Sequence, residues 1–216
     1  MRLEIECKYC ALDHGRVRAR LQTCGARYGG TFFERNVIFE TDPPSLREQG
    51  KLLRLRSNFS NDAPVQPSPL HILTFKGPVS SSPSSAIKIR EEQETRIEDR
   101  AALCALLQGL GFVAKAVYEK VREVWYCMDA EVALDTLPFG SYAEIEGQEK
   151  VIQKIEEMLS LQNERKTNAS YHALHARWCD ERNLPRELSF LFSNEERERL
   201  LAQLGIRDEG ARAPLL

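Results

Sequence analysis

The chain of 216 residues predicts an α+β fold: eight strands in an antiparallel barrel or strongly curved sheet, with helices packed on its outside. Three observations predict it. The first two-thirds of the chain break into eight short runs rich in β-branched and aromatic residues, mostly joined by turn signals rather than long crossovers. Within those runs apolar and charged residues alternate with a period of two, the mark of a strand with two unlike faces. Helical segments near residues 14–25, 99–110 and 148–160 carry apolar stripes that can cover the apolar face.

Residues 2–9 are the first strand. Asp13 then caps a helix whose Val17, Leu21 and Cys24 share one side, ending at Gly25. Residues 31–40, rich in Phe, Val and Ile, are the second strand, stopped by Asp42-Pro43-Pro44. The third is 51–57, followed by a loop over 58–69 with Pro64, Pro67 and Pro69. The fourth, 71–76, closes at Gly77-Pro78, and a Ser/Pro hairpin loop over 80–85 leads to the fifth at 86–96. Asp99 caps a second helix carrying Leu103, Leu106, Leu107 and Leu110. Strands at 117–128, 131–135 and 141–146 follow, the last two split by a turn with Pro138 and Gly140. A third helix begins after Gly147 with Val151, Ile155, Met158 and Leu159 on one side, and further helices are expected over 169–183 and 194–204. The division expected is a main domain over 1–185 and a charged helix with a frayed tail over 186–216.

A net charge of −2 provides no global field for nucleic acid or an anionic membrane, so no partner of either kind is expected. No apolar run approaches the roughly 18 residues that span a bilayer, and no signal-peptide apolar region opens the chain, so a cytoplasmic protein is expected. The six cysteines fit reduced thiols better than zinc: Cys7 and Cys10 are spaced CxxC with no second such pair.

The charged face is the informative one. Glu4, Glu6 and Lys8 share it on the first strand, Arg54 and Arg56 on the third, and Lys76 on the fourth. Lys88, Arg90, Glu92, Glu94 and Arg96 share it on the fifth, Lys120 and Arg122 on the sixth, and Glu144 and Glu146 on the eighth, with Asp135 ending the seventh. An ordinary wet face mixes Thr, Ser, Gln and Lys. Here nearly every position is charged and like signs sit at i,i+2, which costs about 2–3 kcal/mol per poorly solvated pair. Ligands of opposite sign between the pairs remove that cost, so the basic set points to a polyanion and the acidic set to divalent cations. Arg35 shares the parity of Phe33, Val37 and Phe39, which argues for the outside, and is left unassigned; Trp125 has the apolar parity of its strand and reads as packing.

These residues resemble a known family. Glu4-Ile5-Glu6-Cys7-Lys8 fits the ExExK signature of the CYTH superfamily, the triphosphate tunnel metalloenzymes. Leu53-Arg54-Leu55-Arg56, Leu73-Thr74-Phe75-Lys76-Gly77-Pro78, Lys88 through Glu94, Lys120-Val121-Arg122, Leu134-Asp135 and Ala143-Glu144-Ile145-Glu146 complete the ordered set, and Ser170-Tyr171 with Leu174 looks like the family's C-terminal Ser-Tyr helix. The resemblance implies that the sheet closes into an eight-stranded tunnel with the charged face inside. It implies a triphosphate-containing small molecule as ligand and Mg²⁺ or Mn²⁺ as cofactor. Lys8, Arg54, Arg56, Lys76, Arg90, Lys120 and Arg122 would hold phosphate; Glu4, Glu6, Glu92, Glu94, Asp135, Glu144 and Glu146 would serve the metal; Glu4, Glu6 and Lys8 would be catalytic. The implied activity is a triphosphatase, acting as monomer or homodimer. The alternatives are a class IV adenylyl cyclase, a thiamine triphosphatase or a non-catalytic polyphosphate-binding module.

Overall fold

The computed structural model describes residues 2–61, 69–81, 85–207 and 209–212. The prolines Pro64 and Pro67 of the expected loop, residues 82–84 of the Ser/Pro hairpin, and Asp208 with 213–216 of the expected tail lie outside them. The strands are β1 (Arg2–Cys10), β2 (Arg27–Thr41), β3 (Leu52–Phe59), β4 (Leu70–Val79), β5 (Ile87–Ile97), β6 (Phe112–Cys127), β7 (Ala130–Leu137), β8 (Gly140–Glu146) and the two-residue β9 (Lys166–Thr167). The helices are α1 (His14–Thr23), α2 (Arg100–Gly109), α3 (Glu149–Leu159), α4 (Tyr171–Glu181) and α5 (Asn194–Gln203).

The sheet runs β5-β4-β3-β2-β6-β7-β8-β1, and β5 pairs back with β1, so eight antiparallel strands close into a barrel. Closure removes both sheet edges. The sequence left barrel and open curved sheet both possible; pairing of Leu3 with Glu91 and Ile5 with Ile89 decides between them.

Most expected elements sit within a few residues of their places, and both aspartate caps form: Asp13 accepts from the backbone N–H groups of Gly15 and Arg16, and Asp99 from that of Ala102. The strands are longer than periodicity suggests. β2 begins at Arg27, through Gly29 and Gly30, because β6 offers a partner there. A Cβ on Gly29 would lie 2.7 Å from the Tyr126 ring, so the approach of the two strands requires glycine. β6 starts five residues early for the same reason: Phe112 to Ala116 pair with the end of β2. β4 runs on through Gly77-Pro78 with a register shift between Lys76 and Val79.

The barrel's outward residues make the core. Tyr9, Trp125, Val132 and Ile145 pack against Val17 and Leu21 of α1 and Ile152, Ile155 and Leu159 of α3. Fully burying each such side chain is worth about 1.5–3 kcal/mol. α2 covers Val37, Leu53 and Leu55 through Leu107, and α4 lies on Leu137, Phe139 and Tyr142.

No break in packing marks residue 185. The Phe190 N–H donates to the Val117 carbonyl and its own carbonyl accepts from the Glu119 N–H. Phe192, Leu201, Ile206 and Ala211 bury themselves on Phe33 and Phe59. Beneath them lies a buried ionic cluster outside the barrel: Arg35 Nε donates to Glu119 Oε1 at 3.1 Å, and Arg197 Nε reaches both Glu119 oxygens at 3.0 and 3.1 Å. Arg35 thus takes the outward place its parity gave it. Among the described residues no helix is long and apolar enough to cross a membrane.

Candidate active site

The barrel encloses a cavity of about 630 Å³. Every sequence-selected residue lines it except Asp135, which is completely buried in the wall. The register brings them together. Glu6 faces Glu146 and Lys8 faces Glu144 across β1–β8, while Glu4 faces Arg90 and Glu6 faces Lys88 across β1–β5. Arg122 faces Asp135 across β6–β7. A period of two and antiparallel pairing are enough to gather these positions around one axis.

Cations and carboxylates interleave rather than segregate. Lys8 bonds Glu144, with Glu6 at 3.9 Å and the Tyr171 ring at 4.5 Å. Lys88 donates to Glu6 at 2.9 Å. Arg122 donates to both Asp135 oxygens and to Glu144, and Lys120 to Asp135 at 3.0 Å. Arg56 Nη2 lies 3.3 Å from Glu94, and Arg54 donates to the Tyr118 hydroxyl and to Thr74. Arg90 turns Nε and Nη2 to the Gly77 carbonyl and reaches the Gly50 carbonyl.

This pairing splits the carboxylates into two electrical classes. Burial disfavours charge on all of them. In the first class nearby cations outweigh burial: Lys8 and Lys88 bring Glu6 down to about 2. Lys8 and Arg122 hold Glu144 well below its ordinary range, and Arg122 with Lys120 lowers Asp135. Glu94 is lowered by Arg56 and by its bond from Thr74. In the second class burial wins. Glu4 is raised by desolvation and by Glu6 and Glu92, against Lys76. Glu146 is pushed up to about 7 by desolvation and by Glu4, against Arg2.

The metal set proposed from sequence therefore sorts itself. Asp135 accepts from Lys120, Arg122 and the Tyr171 hydroxyl, and Glu94 is held by Arg56 and Thr74; both act as counter-ions to neighbouring cavity cations. Glu4, Glu92 and Glu146 stand together electrostatically at the mouth where β1 begins and β8 ends. Lys76 reaches the first two, at 2.6 and 3.0 Å, and Arg2 reaches Glu146 at 2.7 Å. Glu4 Oε2 is buried and has no hydrogen-bond partner among the described residues. Among those residues no three His, Cys, Asp or Glu side chains form a ready ligand cluster. The donor chemistry nonetheless fits a hard divalent cation: carboxylate oxygens, partly unpaired, whose mutual repulsion such an ion would relieve.

Several cavity residues were outside the sequence-selected set. Lys88 has the right parity and was legible. Glu34, alternating with outward Phe33 and Arg35, was also legible: it is buried with Lys120, Arg56 and Arg122 at 3.4, 3.8 and 4.0 Å. Tyr118 also follows strand parity, on β6 with Lys120. Tyr171 enters from α4, where strand parity carries no information.

Asn36, completely buried between Arg56 and Tyr118 in the register, has neither polar atom bonded to any described residue. An unsatisfied buried amide costs about 1–3 kcal/mol. Asn36→Leu is therefore expected to raise the Tm of the ligand-free protein by roughly 2–12 °C in a calorimetric scan.

At the cavity wall, α4 places His172 against the Tyr118 and Phe190 rings, and His175 packs on Phe139, Trp178 and Phe190. Burial, with a smaller push from His175, lowers His172 to about 4. Its unfolded value is higher, so the unfolded chain binds the extra proton first, and stability falls as pH drops from about 6.5 to 4. His172→Phe is expected to flatten that part of a Tm-versus-pH curve.

The CYTH domain profile matches residues 2–171. A protein of Methanocaldococcus jannaschii, whose name assigns it provisionally as an adenylate cyclase, is 27% identical over 174 residues, covering 77% of this chain and 93% of that protein. A solved Pyrococcus horikoshii protein aligns with a TM-score of 0.64 at 22% identity, over 79% of this chain and 97% of its own. A Hippeastrum protein, named provisionally as an adenylyl cyclase and described as having a dominant triphosphatase activity, aligns with a TM-score of 0.57 at 20% identity, over 85% of this chain and 99% of its own. Closed barrel, inward charge and matched profile agree over the same residues, and the chain belongs to the CYTH domain family.

Proposed function

We propose that this protein is a divalent-metal-dependent triphosphatase that holds its substrate's phosphate chain inside the barrel. One observation carries the reading most: cations from β1, β3, β4, β5 and β6 converge on one closed cavity while two carboxylates at its mouth, Glu4 and Glu146, lack adequate counter-charge. An entering polyanion takes over the cations now held by internal carboxylates. Arg54, Arg56 and Arg122 suit forked contacts with phosphoryl oxygens, and Lys8, Lys76, Lys88 and Lys120 act as point charges. Glu4, Glu92 and Glu146 would hold Mg²⁺ or Mn²⁺, which when bound supplies charge neutralisation at the phosphoryl oxygens. Glu4 and Glu146 also retain proton affinity closer to neutrality than Glu6 or Glu144, so either can orient a water and take its proton. The Hippeastrum protein's described activity supports the same reading.

The name of the Methanocaldococcus relative favours a second reading, cyclisation of ATP. The products separate them. Inorganic triphosphate, ATP and thiamine triphosphate are offered with Mg²⁺ or Mn²⁺, and phosphate, pyrophosphate and cyclic AMP are measured. Metal-dependent phosphate release is expected. Cyclic AMP with pyrophosphate in its place selects the cyclase, and no turnover of any of the three defeats both.

A further inference from the structure

We propose that Asn36 is a positioning residue for Arg56: its side-chain carbonyl accepts the Arg56 Nε–H once that guanidinium turns from internal carboxylates onto the substrate. This rests on the triphosphate reading of the cavity.

The observation is a set of orphaned polar atoms in one patch of the barrel wall. Asn36 lies on β2 between outward Arg35 and Val37, so it shares the inward face with Glu34. Its register partners are Arg56 on β3 and Tyr118 on β6, and both of these line the cavity. Asn36 itself is completely buried, and neither Oδ1 nor Nδ2 has a hydrogen-bond partner among the described residues. The Nε atoms of Arg54 and Arg56 are buried and unpartnered in the same way. Register partners on one face hold their Cβ atoms about 4.5–5.5 Å apart, so an amide oxygen on one reaches a guanidinium Nε on the other. A buried donor and a buried acceptor thus stand side by side on adjacent strands without bonding.

The direction of the guanidinium keeps them apart. Arg56 Nη2 turns to Glu94 on β5 at 3.3 Å, with Nη1 3.8 Å from Glu34. In the order β5-β4-β3-β2, Glu94 draws the Arg56 head to one side of β3, and Asn36 lies on the other. A phosphate chain competes for the same Nη atoms. A guanidinium released from Glu94 can present Nε–H to Asn36 and both Nη groups to phosphoryl oxygens, the forked contact for which arginine is suited. Asn36 then has its missing donor only when the cavity is occupied. The amide costs the ligand-free protein stability and strengthens the bound state, so stability and affinity respond to its removal with opposite signs.

The test is calorimetric titration of inorganic triphosphate in EDTA, so that neither turnover nor the metal enters. Asn36→Leu is expected to bind about tenfold more weakly than wild type while its Tm is at or above the wild-type value. Asn36→Ala, which adds no volume, is expected to lose the same factor and reads the same quantity if leucine does not fit. Packing alone gives no coupling to one chosen arginine, and the double-mutant cycle measures that coupling. Arg56→Lys keeps a cation and has no Nε–H, so adding Asn36→Leu to it is expected to change affinity by less than about twofold. Adding Asn36→Leu to Arg54→Lys is expected to cost the full tenfold. Wild-type affinity in both Asn36 variants, or an equal loss in the Arg56→Lys background, overturns the positioning role and leaves the phosphate cavity standing. If inorganic triphosphate does not bind the wild type at all, the cavity reading and the role of Asn36 fall together.

Discussion

Glu4→Gln and Glu146→Gln are each expected to lower metal-dependent phosphate release by roughly a hundredfold or more. Both substitutions keep size and remove charge. Glu4 Oε1 takes a bond from Lys76 at 2.6 Å, but Oε2 is buried and unpartnered among the described residues. Glu146 is already pushed up to about 7 by burial and by Glu4, so its charge is costly and would be relieved by a cation. Binding should move the other way. Removing one buried negative charge from a cavity into which seven or more cations project is expected to leave metal-free triphosphate affinity equal or higher. Phosphate release and calorimetric titration in EDTA, run on the same variants, read the two effects separately. Full turnover in both variants would remove these carboxylates from the metal site. A parallel loss of triphosphate affinity would point to a collapsed cavity instead.

The second large effect concerns stability, on the other side of the wall. Glu119 is fully buried and holds Arg35 and Arg197, and its Oε2 accepts from the Phe192 N–H. Glu119→Leu removes the buried Glu119 carboxylate from Arg35, which is only 4% exposed, and from Arg197. Breaking one partner out of such a cluster costs about 3–5 kcal/mol. For a chain of this size the expected fall in Tm is roughly 6–20 °C. The triple change Glu119→Leu, Arg35→Met, Arg197→Met removes these three charges together and is expected to recover most of the loss. Because Phe192 sits on Phe33 through this cluster, limited proteolysis of Glu119→Leu should cut first within 186–207.

How much of this was legible depends on which kind of periodicity carried it. Glu4, Glu6 and Lys8 alternate with Leu3, Ile5 and Cys7, and nothing beyond the strand period was needed to put them on one face. The same period placed Arg54 with Arg56 and Lys120 with Arg122, and it argued for the outside at Arg35 without assigning it. Strand ends were less legible. Gly29 and Gly30 have poor strand propensity, and they are strand only because β6 lies beside them. Residues 186–212 read as a charged appendage because α5 is largely polar; Phe190, Phe192 and Leu201 are too widely spaced to show a periodic stripe, and their partners are far away in sequence.

By itself, then, the sequence determined the strands, their two faces and the gathering of like charges at i,i+2, because those are local consequences of backbone geometry. The tertiary structure decided which charges neutralise which. Glu6 and Glu146 are register partners, yet Lys88 and Lys8 draw one down while Glu4 and burial drive the other up. That difference sets the carboxylates with raised proton affinity apart from those held as counter-ions. It arises from desolvation and from cations contributed by neighbouring strands, and neither is a property of any one segment of chain.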